Sequence, residues 1–401
     1  MGIQDDAVMR LLIIGTHPEH TTGYSRIMHG MVQTLLEKVV DLHVTVFGIQ
    51  RYYTTTEATR KLEHPRLNMY DVVENSEDDF GYGTAILKNF VDINQPDAIM
   101  IYNDSYVTTQ YCKIIEKCKK PPPVFAYLDQ IYEYQDPQYV ELINKYMKHV
   151  ICFSREWELN AKKWGITAPT SVMRHPVSVP MIKPSKIEAR RALHLPQDTF
   201  IFLNLNRNQE RKRPDLTIIG YVWFLAKNPD AKVHLYMGNV RDETFDLAKI
   251  FDAECVNNGI ERDREKYMTL NSKAFTDAEV HNLYAACDVG VNTCQGEGFG
   301  LCQYEHAMYG KPQIVSAVGG LKDGFDSTNS IQLHPIAHLY GKREDKIPDM
   351  PRIVNAADLA DGMATYYTDK EVYTNHANNP PIPTTWDIEV MRIVDVLKSL
   401  Y

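Results

Sequence analysis

Two glutamates stand eight positions apart in the stretch CQGEGFGLCQYEHAMYGKP, residues 294–312. Glu297 lies among glycines, whereas Glu305 lies more than one turn inside the helix that the sequence predicts from about Gly300. Glycines such as Gly298 let the backbone approach a ligand closely, and the free N–H groups of a helix start favour phosphate. Because carboxylates accept hydrogen bonds from sugar hydroxyls, the stretch predicts a site for a sugar linked to a diphosphate. A tight turn with packing glycines and two solvated glutamates is the alternative.

A second group of candidate residues is basic. The segment NLNRNQERKRPD (204–215) carries Arg207, Arg211, Lys212 and Arg213 in a chain whose formal net charge is −9. A diphosphate needs such cations for binding and for stabilising the charge that develops on a leaving group. The alternative is a solvated helix start, but cations there oppose the helix dipole, so their placement favours a functional role.

Polar residues in the first half of the chain form a third group. The loop GTHPEHTTGYSR (15–26) contains Gly15 and Gly23 and could close over the phosphates, or it could be a plain connection. Other polar residues follow predicted strands or open the next helix, so we expect them at the same edge of a sheet. Each of these is also a common helix cap or turn residue. The candidates in this third group are Tyr24, Asn103, Asp104 and Asp129.

These candidates are positioned by strands and helices that alternate along the chain. The predicted strands of the first half are 10–16, 43–49, 97–104, 123–129 and 149–154. Those of the second half are 199–206, 232–239, 288–293, 312–317 and 330–335. Short apolar strands alternating with helices predict parallel sheets covered by helices. The predicted fold class is therefore α/β, with two Rossmann-like doubly wound domains facing a central cleft that holds the ligand.

The same alternation predicts the domain boundaries. Residues 1–178 form an N-terminal Rossmann-like domain, and 199–383 form a C-terminal Rossmann-like domain. The proline-rich segment 179–198 is predicted as a linker with a short helix. Residues 384–401 form an amphipathic C-terminal helix that crosses back to the first domain.

Composition excludes several classes of protein. The net charge of −9 argues against broad nucleic-acid binding. Seven scattered cysteines without a CxxC pair are typical of reduced thiols in the cytoplasm. An acidic N-terminus and the lack of an 18-residue apolar run predict a cytoplasmic protein with no transmembrane segment. The histidines are dispersed, HExxH is absent, and the acidic segment 76–80 lies in a polar loop, so we predict no bound metal.

The segment EGFGLCQYE, with its two glutamates separated by seven residues, resembles the donor-site signature of GT-B retaining glycosyltransferases, especially family 4. Similarity to that family is also found in the strand-preceding segment YAACDVGV (284–291), the RNQERK segment, the HPVS turn and the tryptophan-containing last helix. The resemblance is strong over 199–324 and looser in the first half, and it is nearest to members from large DNA viruses.

This resemblance implies roles for individual residues. Arg207 and Lys212 would bind the diphosphate and stabilise it as it leaves, Glu297 would hold a sugar hydroxyl, and Glu305 would bind the ribose hydroxyls. The residues implied in donor binding are Gly15, Gly23, Arg207, Lys212, Glu297, Gly298, Phe299, Gly300, Leu301 and Glu305. Three positions depart from the family pattern: Asp129 replaces a histidine, Ser178 an aspartate and Asp323 a glutamate.

The resemblance implies a retaining hexosyltransferase that uses a nucleotide diphosphate sugar and a metal-independent front-face mechanism, with no cofactor required. A GDP-sugar such as GDP-mannose is favoured, and a UDP-sugar is the alternative donor. The acceptor would be a hydroxyl of a glycan, lipid or protein. It would lie on the side of the N-terminal domain, near Tyr24, Asn103, Asp104 and Asp129, and the C-terminal domain would bind the nucleotide-sugar donor. The alternatives from other classes are an isomerase similar to UDP-N-acetylglucosamine 2-epimerase and a nucleotide-sugar-binding protein without catalysis. The sequence gives no prediction of oligomeric state.

Overall fold

A computed structural model describes residues 8–20, 22–50, 60–75, 79–177, 179–238, 244–273, 275–339 and 351–400. The first domain is built on a parallel sheet of seven strands. They are β1 (Met9–Thr16), β2 (Leu42–Ile49), β3 (Leu67–Asp71), β4 (Ala98–Asp104), β5 (Val124–Asp129), β6 (Met147–Cys152) and β7 (Thr170–Val172). Its helices are α1 (Gly23–Lys38), α2 (Val72–Asn75), α3 (Thr84–Asn94), α4 (Ser105–Ile115), α5 (Pro137–Tyr146) and α6 (Arg155–Trp164).

The second domain is built on a parallel sheet of six strands. They are β8 (Phe200–Asn204), β9 (Val233–Gly238), β10 (Met268–Asn271), β11 (Val289–Asn292), β12 (Gln313–Ser316) and β13 (Ser330–Leu333). Its helices are α7 (Lys186–Ala192), α8 (Pro214–Lys227), α9 (Leu247–Asn257), α10 (Arg264–Tyr267), α11 (Asp277–Ala286), α12 (Leu301–Ala307), α13 (Leu321–Gly324), α14 (Ala356–Thr368) and α15 (Lys370–Asn378). A small antiparallel pair, β14 (Ala337–His338) and β15 (Arg352–Ile353), follows β13, and the last helix is α16 (Trp386–Ser399).

Both sheets reverse their direction of winding at one place. The strand order is β3-β2-β1-β4-β5-β6-β7 in the first sheet and β10-β9-β8-β11-β12-β13 in the second. The switch therefore lies between β1 and β4 in the first sheet and between β8 and β11 in the second. In doubly wound sheets, ligands bind outside the carboxyl ends of the strands at such a switch point. The predicted α/β fold class is confirmed.

The predicted strands form because their apolar runs are buried on both faces by helices. In β1, for example, Leu11 to Ile14 are at most 1% exposed. Three strands of the two parallel sheets were not predicted from the sequence, and β3, β7 and β10 all lie at the edges of these sheets. Edge strands bury fewer side chains, and these three are mostly half-buried, so their apolar pattern is weak.

The last helix packs on the first domain. Trp386 lies directly over Gly30 of α1, where an added Cβ would stand 2.3 Å from the indole Nε1. Val390 and Ile393 are fully buried in the same hydrophobic cluster as the first sheet.

Within the segment predicted as a linker, α7 packs against α11 of the second domain. Arg190 of this helix is buried, and its Nη2 lies 2.8 Å from Asp288 Oδ2. The short helix of the linker is thus part of the second domain's packing. Ser178, at the predicted boundary, lies outside the described residues.

In the part of the chain that the structure describes, no helix has both the length and the apolar character needed to cross a bilayer. All seven cysteines are free thiols.

Candidate functional site

A cavity of about 380 Å³ lies between the two switch points. The first domain contributes residues from the start of α1 and the end of β5, and the second contributes the segments that follow β8 and β11. The predicted residues that line it are Gly23, Tyr24, Asp129, Arg207, Arg211, Lys212, Glu297, Gly298, Phe299, Gly300 and Leu301. Folding therefore brings to one cavity most of the residues that the sequence singled out.

Glu297 is the buried carboxylate of this cavity. Lys212 Nζ forms an ion pair with Glu297 Oε2, and Arg211 Nη1 lies 3.9 Å from Oε1. Burial by itself raises the pKa of Glu297, but the charges of Lys212 and Arg211 outweigh it, so the pKa lies below its ordinary value. Glu297 is therefore ionised at neutral pH.

The basic residues come from one short turn. Arg211 and Lys212 belong to a 3₁₀ turn, Glu210–Lys212, between β8 and α8. Lys212 is buried, whereas Arg207 is exposed and lines the cavity from the preceding loop. Arg213 points elsewhere, because its Nη2 pairs with Asp215 Oδ2 at 2.6 Å. Arg211, Lys212 and Arg207 are thus the cations that face the cavity from this segment.

The glycines around Glu297 have two structural roles. One adopts a left-handed backbone conformation, and the others lie so close to the first domain that a side chain would not fit. Gly300 caps α12 with φ of 92°, a left-handed conformation that favours glycine. A Cβ on Gly298 would stand 2.5 Å from Asp129 Oδ1, and one on Gly296 would stand 2.6 Å from the carbonyl oxygen of Ile131. Gly296 and Gly298 therefore allow the segment to pack closely against the first domain, which the sequence did not predict.

Glu305 has different surroundings from Glu297. It is only 1% exposed, and Arg26 of α1 forms an ion pair with its Oε1. The Tyr284 hydroxyl donates to Oε2 over 2.9 Å. Arg26 also reaches Asp277, with Nη2 at 2.8 Å from Oδ1, so one arginine of the first domain bridges two acids of the second.

Asp129 lies at the end of β5, on the first-domain side of the cavity. The Tyr24 hydroxyl donates to Asp129 Oδ2, and both residues line the cavity. Burial raises the pKa of Asp129 to about 7, against the opposite effect of Arg211 and Lys212 and with a further contribution from Glu297. Asp129 is therefore the carboxyl group of the cavity that titrates near neutral pH.

Three other predicted residues are placed away from the cavity. Asp104 is the N-cap of α4, where Oδ1 accepts from the Val107 amide over 2.8 Å. Asn103 Oδ1 accepts from the amide of Asp104 over 2.9 Å. Gly15 is packed inside the first domain, with a hypothetical Cβ 3.2 Å from Met28 Sδ. The helix-cap alternative thus describes Asp104, and the structure does not bring these three residues to the cavity.

Gly23 is the glycine of the first loop that does line the cavity. Open space surrounds the position of a hypothetical Cβ there, with nothing within 4 Å. Thr21 of the same loop and residues 76–78 of the acidic segment lie outside the described residues. Within the described ranges, no group of three or more His, Cys, Asp or Glu side chains could hold a metal ion.

No family model matches the chain. The chain is similar to a D-inositol 3-phosphate glycosyltransferase of Thermobifida fusca, with 27% identity over 144 residues that make up 34% of this chain and 31% of the relative. The protein of the same name from Stackebrandtia nassauensis is 26% identical over 196 residues, 46% of this chain and 42% of the relative. The matches thus span about a third to two fifths of the length of these curated relatives.

Solved structures match nearly the whole chain. A sucrose-phosphate synthase from Thermosynechococcus elongatus superposes with a TM-score of 0.72 at 16% identity, covering 98% of this chain and 99% of the other. Anabaena HepE in complex with UDP and glucose gives a TM-score of 0.70 at 17% identity, covering 98% and 100%. This is the GT-B fold. The resemblance to GT-B glycosyltransferases stated from the sequence is confirmed.

Several residues of the GT-B cleft were missed by sequence reasoning. Arg26 and Trp157 come from the first domain and contact the segment around Glu297 and Glu305. His175 and Phe153 line the cavity, and the His175 ring centroid lies 4.8 Å from that of Phe299. Trp157 is a buried residue of α6, and Phe153 is a buried residue directly after β6. Buried aromatic residues are ordinary core residues, so no local signal distinguishes these two. His175 stands in the HPVS turn, which was noted without a role.

Proposed function

We propose that the chain is a retaining glycosyltransferase that moves a hexose from a nucleoside diphosphate sugar to an acceptor hydroxyl. The observation that carries this proposal is the cavity between the two switch points, where Glu297 stands beside Lys212, Arg211 and Arg207. An ionised carboxylate next to several cations suits a neutral sugar attached to a diphosphate. The similarity to named glycosyltransferases supports the same reaction.

In the proposed reaction, Arg207, Arg211 and Lys212 neutralise the diphosphate as it leaves. Glu297 accepts a hydrogen bond from a hydroxyl of the transferred sugar and fixes its orientation. The acceptor oxygen bonds to the anomeric carbon on the face from which the phosphate oxygen departs. That phosphate oxygen takes the acceptor's proton, so no protein nucleophile is needed and the anomeric configuration is retained.

Glu305 is proposed to bind the ribose hydroxyls of the donor. Both of its oxygens are already paired, one with Arg26 and the other with Tyr284. Because the residue is 1% exposed, a nucleotide reaches it only after Arg26 has moved. Donor binding is therefore proposed to require a displacement of α1 or of the Arg26 side chain.

Two donor bases remain in the proposal. The resemblance of the sequence implies a GDP-sugar such as GDP-mannose. A UDP-sugar is favoured by the full-length likeness to HepE, which is described in complex with UDP and glucose. The shared requirement is a nucleoside diphosphate, and the experiment below separates the two.

Titration calorimetry of the purified protein with GDP, UDP and ADP tests the site. We expect one of the first two to bind with the highest affinity, and Arg207→Ala to weaken it by about tenfold because one cation at a phosphate is lost. Arg264→Ala is the matched control, since Arg264 pairs with Asp252 in the same domain away from the cavity. An unchanged dissociation constant in Arg207→Ala contradicts its role.

A transfer assay tests the chemistry. The protein is incubated with the sugar nucleotide of the preferred base and a panel of glycan, lipid and peptide acceptors, and the anomeric configuration of the product is read by NMR. Retention supports the proposal, and inversion overturns the front-face mechanism. An epimerised sugar formed without any acceptor would identify an isomerase instead.

A further inference from the structure

Three successive carbonyl groups of the segment around Glu297 each accept one hydrogen bond. Arg211 Nη1 donates to the Gly296 carbonyl over 2.6 Å, and the Gly320 amide donates to the Glu297 carbonyl over 3.0 Å. Both donors belong to the second domain, like the segment itself. The third carbonyl, of Gly298, accepts from Trp157 Nε1 over 2.6 Å. Trp157 belongs to α6 of the first domain.

The hydrogen bond between Trp157 and Gly298 is short and buried. Trp157 is 0% exposed, and its hydrogen bond to Gly298 is buried. Its ring also approaches Gly319, where a hypothetical Cβ would stand 2.8 Å from Trp157 Cζ2. A buried carbonyl that loses its donor pays the full cost of desolvation, so this bond holds the segment strongly while the domains are in contact.

We propose that Trp157 is a positioning residue, which fixes Glu297 for sugar transfer through the Gly298 carbonyl once the two domains have closed. The inference rests on the proposed glycosyltransferase function, because Glu297 is the residue that it serves. The second domain alone supplies the first two hydrogen bonds, and the arrival of the first domain completes the third. Closure of the cleft then fixes the position of Glu297 in the same step.

The same helix offers a matched control. Trp164 also lies on α6, and its Nε1 donates to a backbone carbonyl, that of Glu133, over 3.0 Å. That carbonyl belongs to the first domain, so Trp164→Phe removes an indole donor without touching the segment around Glu297. Trp157→Phe removes the donor that reaches across the cleft. A second variant, with 3-benzothienylalanine at Trp157, keeps the shape of the ring and lacks only the N–H.

Two measurements on the full chain test the proposal. In steady-state transfer, we expect both Trp157 variants to lose roughly five- to tenfold in kcat, the size of one lost hydrogen bond, while the dissociation constant of the nucleoside diphosphate stays unchanged. Hydrogen exchange of the peptide covering residues 294–304 should become faster in both variants. Trp164→Phe should match the wild type in both measurements.

The outcomes are distinguishable. Unchanged exchange of 294–304 in the benzothienylalanine variant overturns the proposal, whatever the activity. A wild-type chain without transfer or donor hydrolysis refutes the proposed function, and exchange still decides whether Trp157 holds the segment. A loss of nucleotide affinity equal to the loss of kcat overturns the positioning role, since a general structural defect would affect both. If Trp157→Phe does not fold, the isosteric variant provides the result.

Discussion

Glu297 and Glu305 belong to one short segment, and both are buried, yet the protein treats them differently. Glu297 lines the cavity and is paired with Lys212 and Arg211 of its own domain. Glu305 is sealed by Arg26, which reaches it from the first domain. One carboxylate is thus available to a ligand in this arrangement of the domains, whereas the other becomes available only when an interdomain ion pair opens.

This comparison shows that the spacing of the two glutamates along the chain does not determine whether a ligand can reach their carboxylates. The two glutamates are equally prominent in sequence, and the family resemblance gives both a role in donor binding. The two glutamates differ in the first-domain residues that contact them or their segment across the cleft. The segment around Glu297 meets Asp129 and the Trp157 indole of the first domain, while Glu305 meets a guanidinium.

The largest effect is expected from Glu297→Gln. Loss of the ionised acceptor should reduce kcat by about 10²-fold, a typical cost for removing a group that acts at the reacting centre. The dissociation constant of the nucleoside diphosphate should stay within twofold in a calorimetric titration. Glu305→Gln is the comparison, and there we expect the opposite pattern, with weaker nucleotide binding and a smaller loss of kcat. Turnover in Glu297→Gln equal to that of the wild type would sink the proposed role.

The next largest effect is expected on stability, where the segment around Glu297 packs closely against the first domain. Gly298→Ala places a Cβ 2.5 Å from Asp129 Oδ1, so we expect a loss of stability of about 1–3 kcal/mol, the usual cost of overpacking. The melting temperature should fall and transfer should weaken. Gly23→Ala is the control on the other side of the cavity, because open space surrounds its Cβ position. A melting temperature lowered equally by both substitutions contradicts this reading.

A smaller effect should follow from removing the ion pair between Arg26 and Glu305. Arg26→Ala removes the cation that pairs with Glu305, the residue proposed to bind the ribose. The nucleoside diphosphate should therefore bind about three- to fivefold more tightly, the size of one partly exposed ion pair. Arg60→Ala is the control, since Arg60 Nη2 pairs with Asp277 Oδ1 at 2.7 Å in the same cluster. Tighter binding in both variants would indicate a general loosening of the cluster instead, and weaker binding in Arg26→Ala alone would make Arg26 a ligand contact.

The last expected effect is on stability, a pH trend from Asp129→Asn. The pKa of Asp129 is raised to about 7 by burial, while Tyr24, Arg211, Lys212 and Glu297 face it from three segments. The unfolded chain releases this proton near pH 4, so the folded protein binds the extra proton between about pH 4 and 7. The wild type therefore loses stability as pH rises through this range, and the variant lacks that loss.

Melting curves at pH 5, 6, 7 and 8 measure this trend. The melting temperature of Asp129→Asn minus that of the wild type should rise from pH 5 to about pH 7 and then level off. A constant difference across the four values would mean that Asp129 titrates at its ordinary pKa.

Much of the fold and part of the site could be predicted from the sequence. The central strands are continuous apolar runs, and α11 begins with a capping box formed by Thr276 and Glu279. The edge strands β3, β7 and β10 were missed because half-buried strands carry a weak pattern. The positions of Glu297, Lys212 and Gly23 at the cavity followed from the rule that ligands bind at the carboxyl ends of strands. Asp104 shows the limit of that rule, because its side chain caps α4 instead.

The sequence by itself determined two parallel sheets and a set of glycines, cations and carboxylates at their carboxyl ends, since apolar runs, their periodicity and the order of residues along a strand are local properties. Only the tertiary structure decided which of these groups face the cavity. Arg26 meets Glu305 and Trp157 meets Gly298 across 279 and 141 positions of sequence. Such pairs form because the two domains present complementary charge and shape to each other, and no spacing within either domain encodes that complementarity.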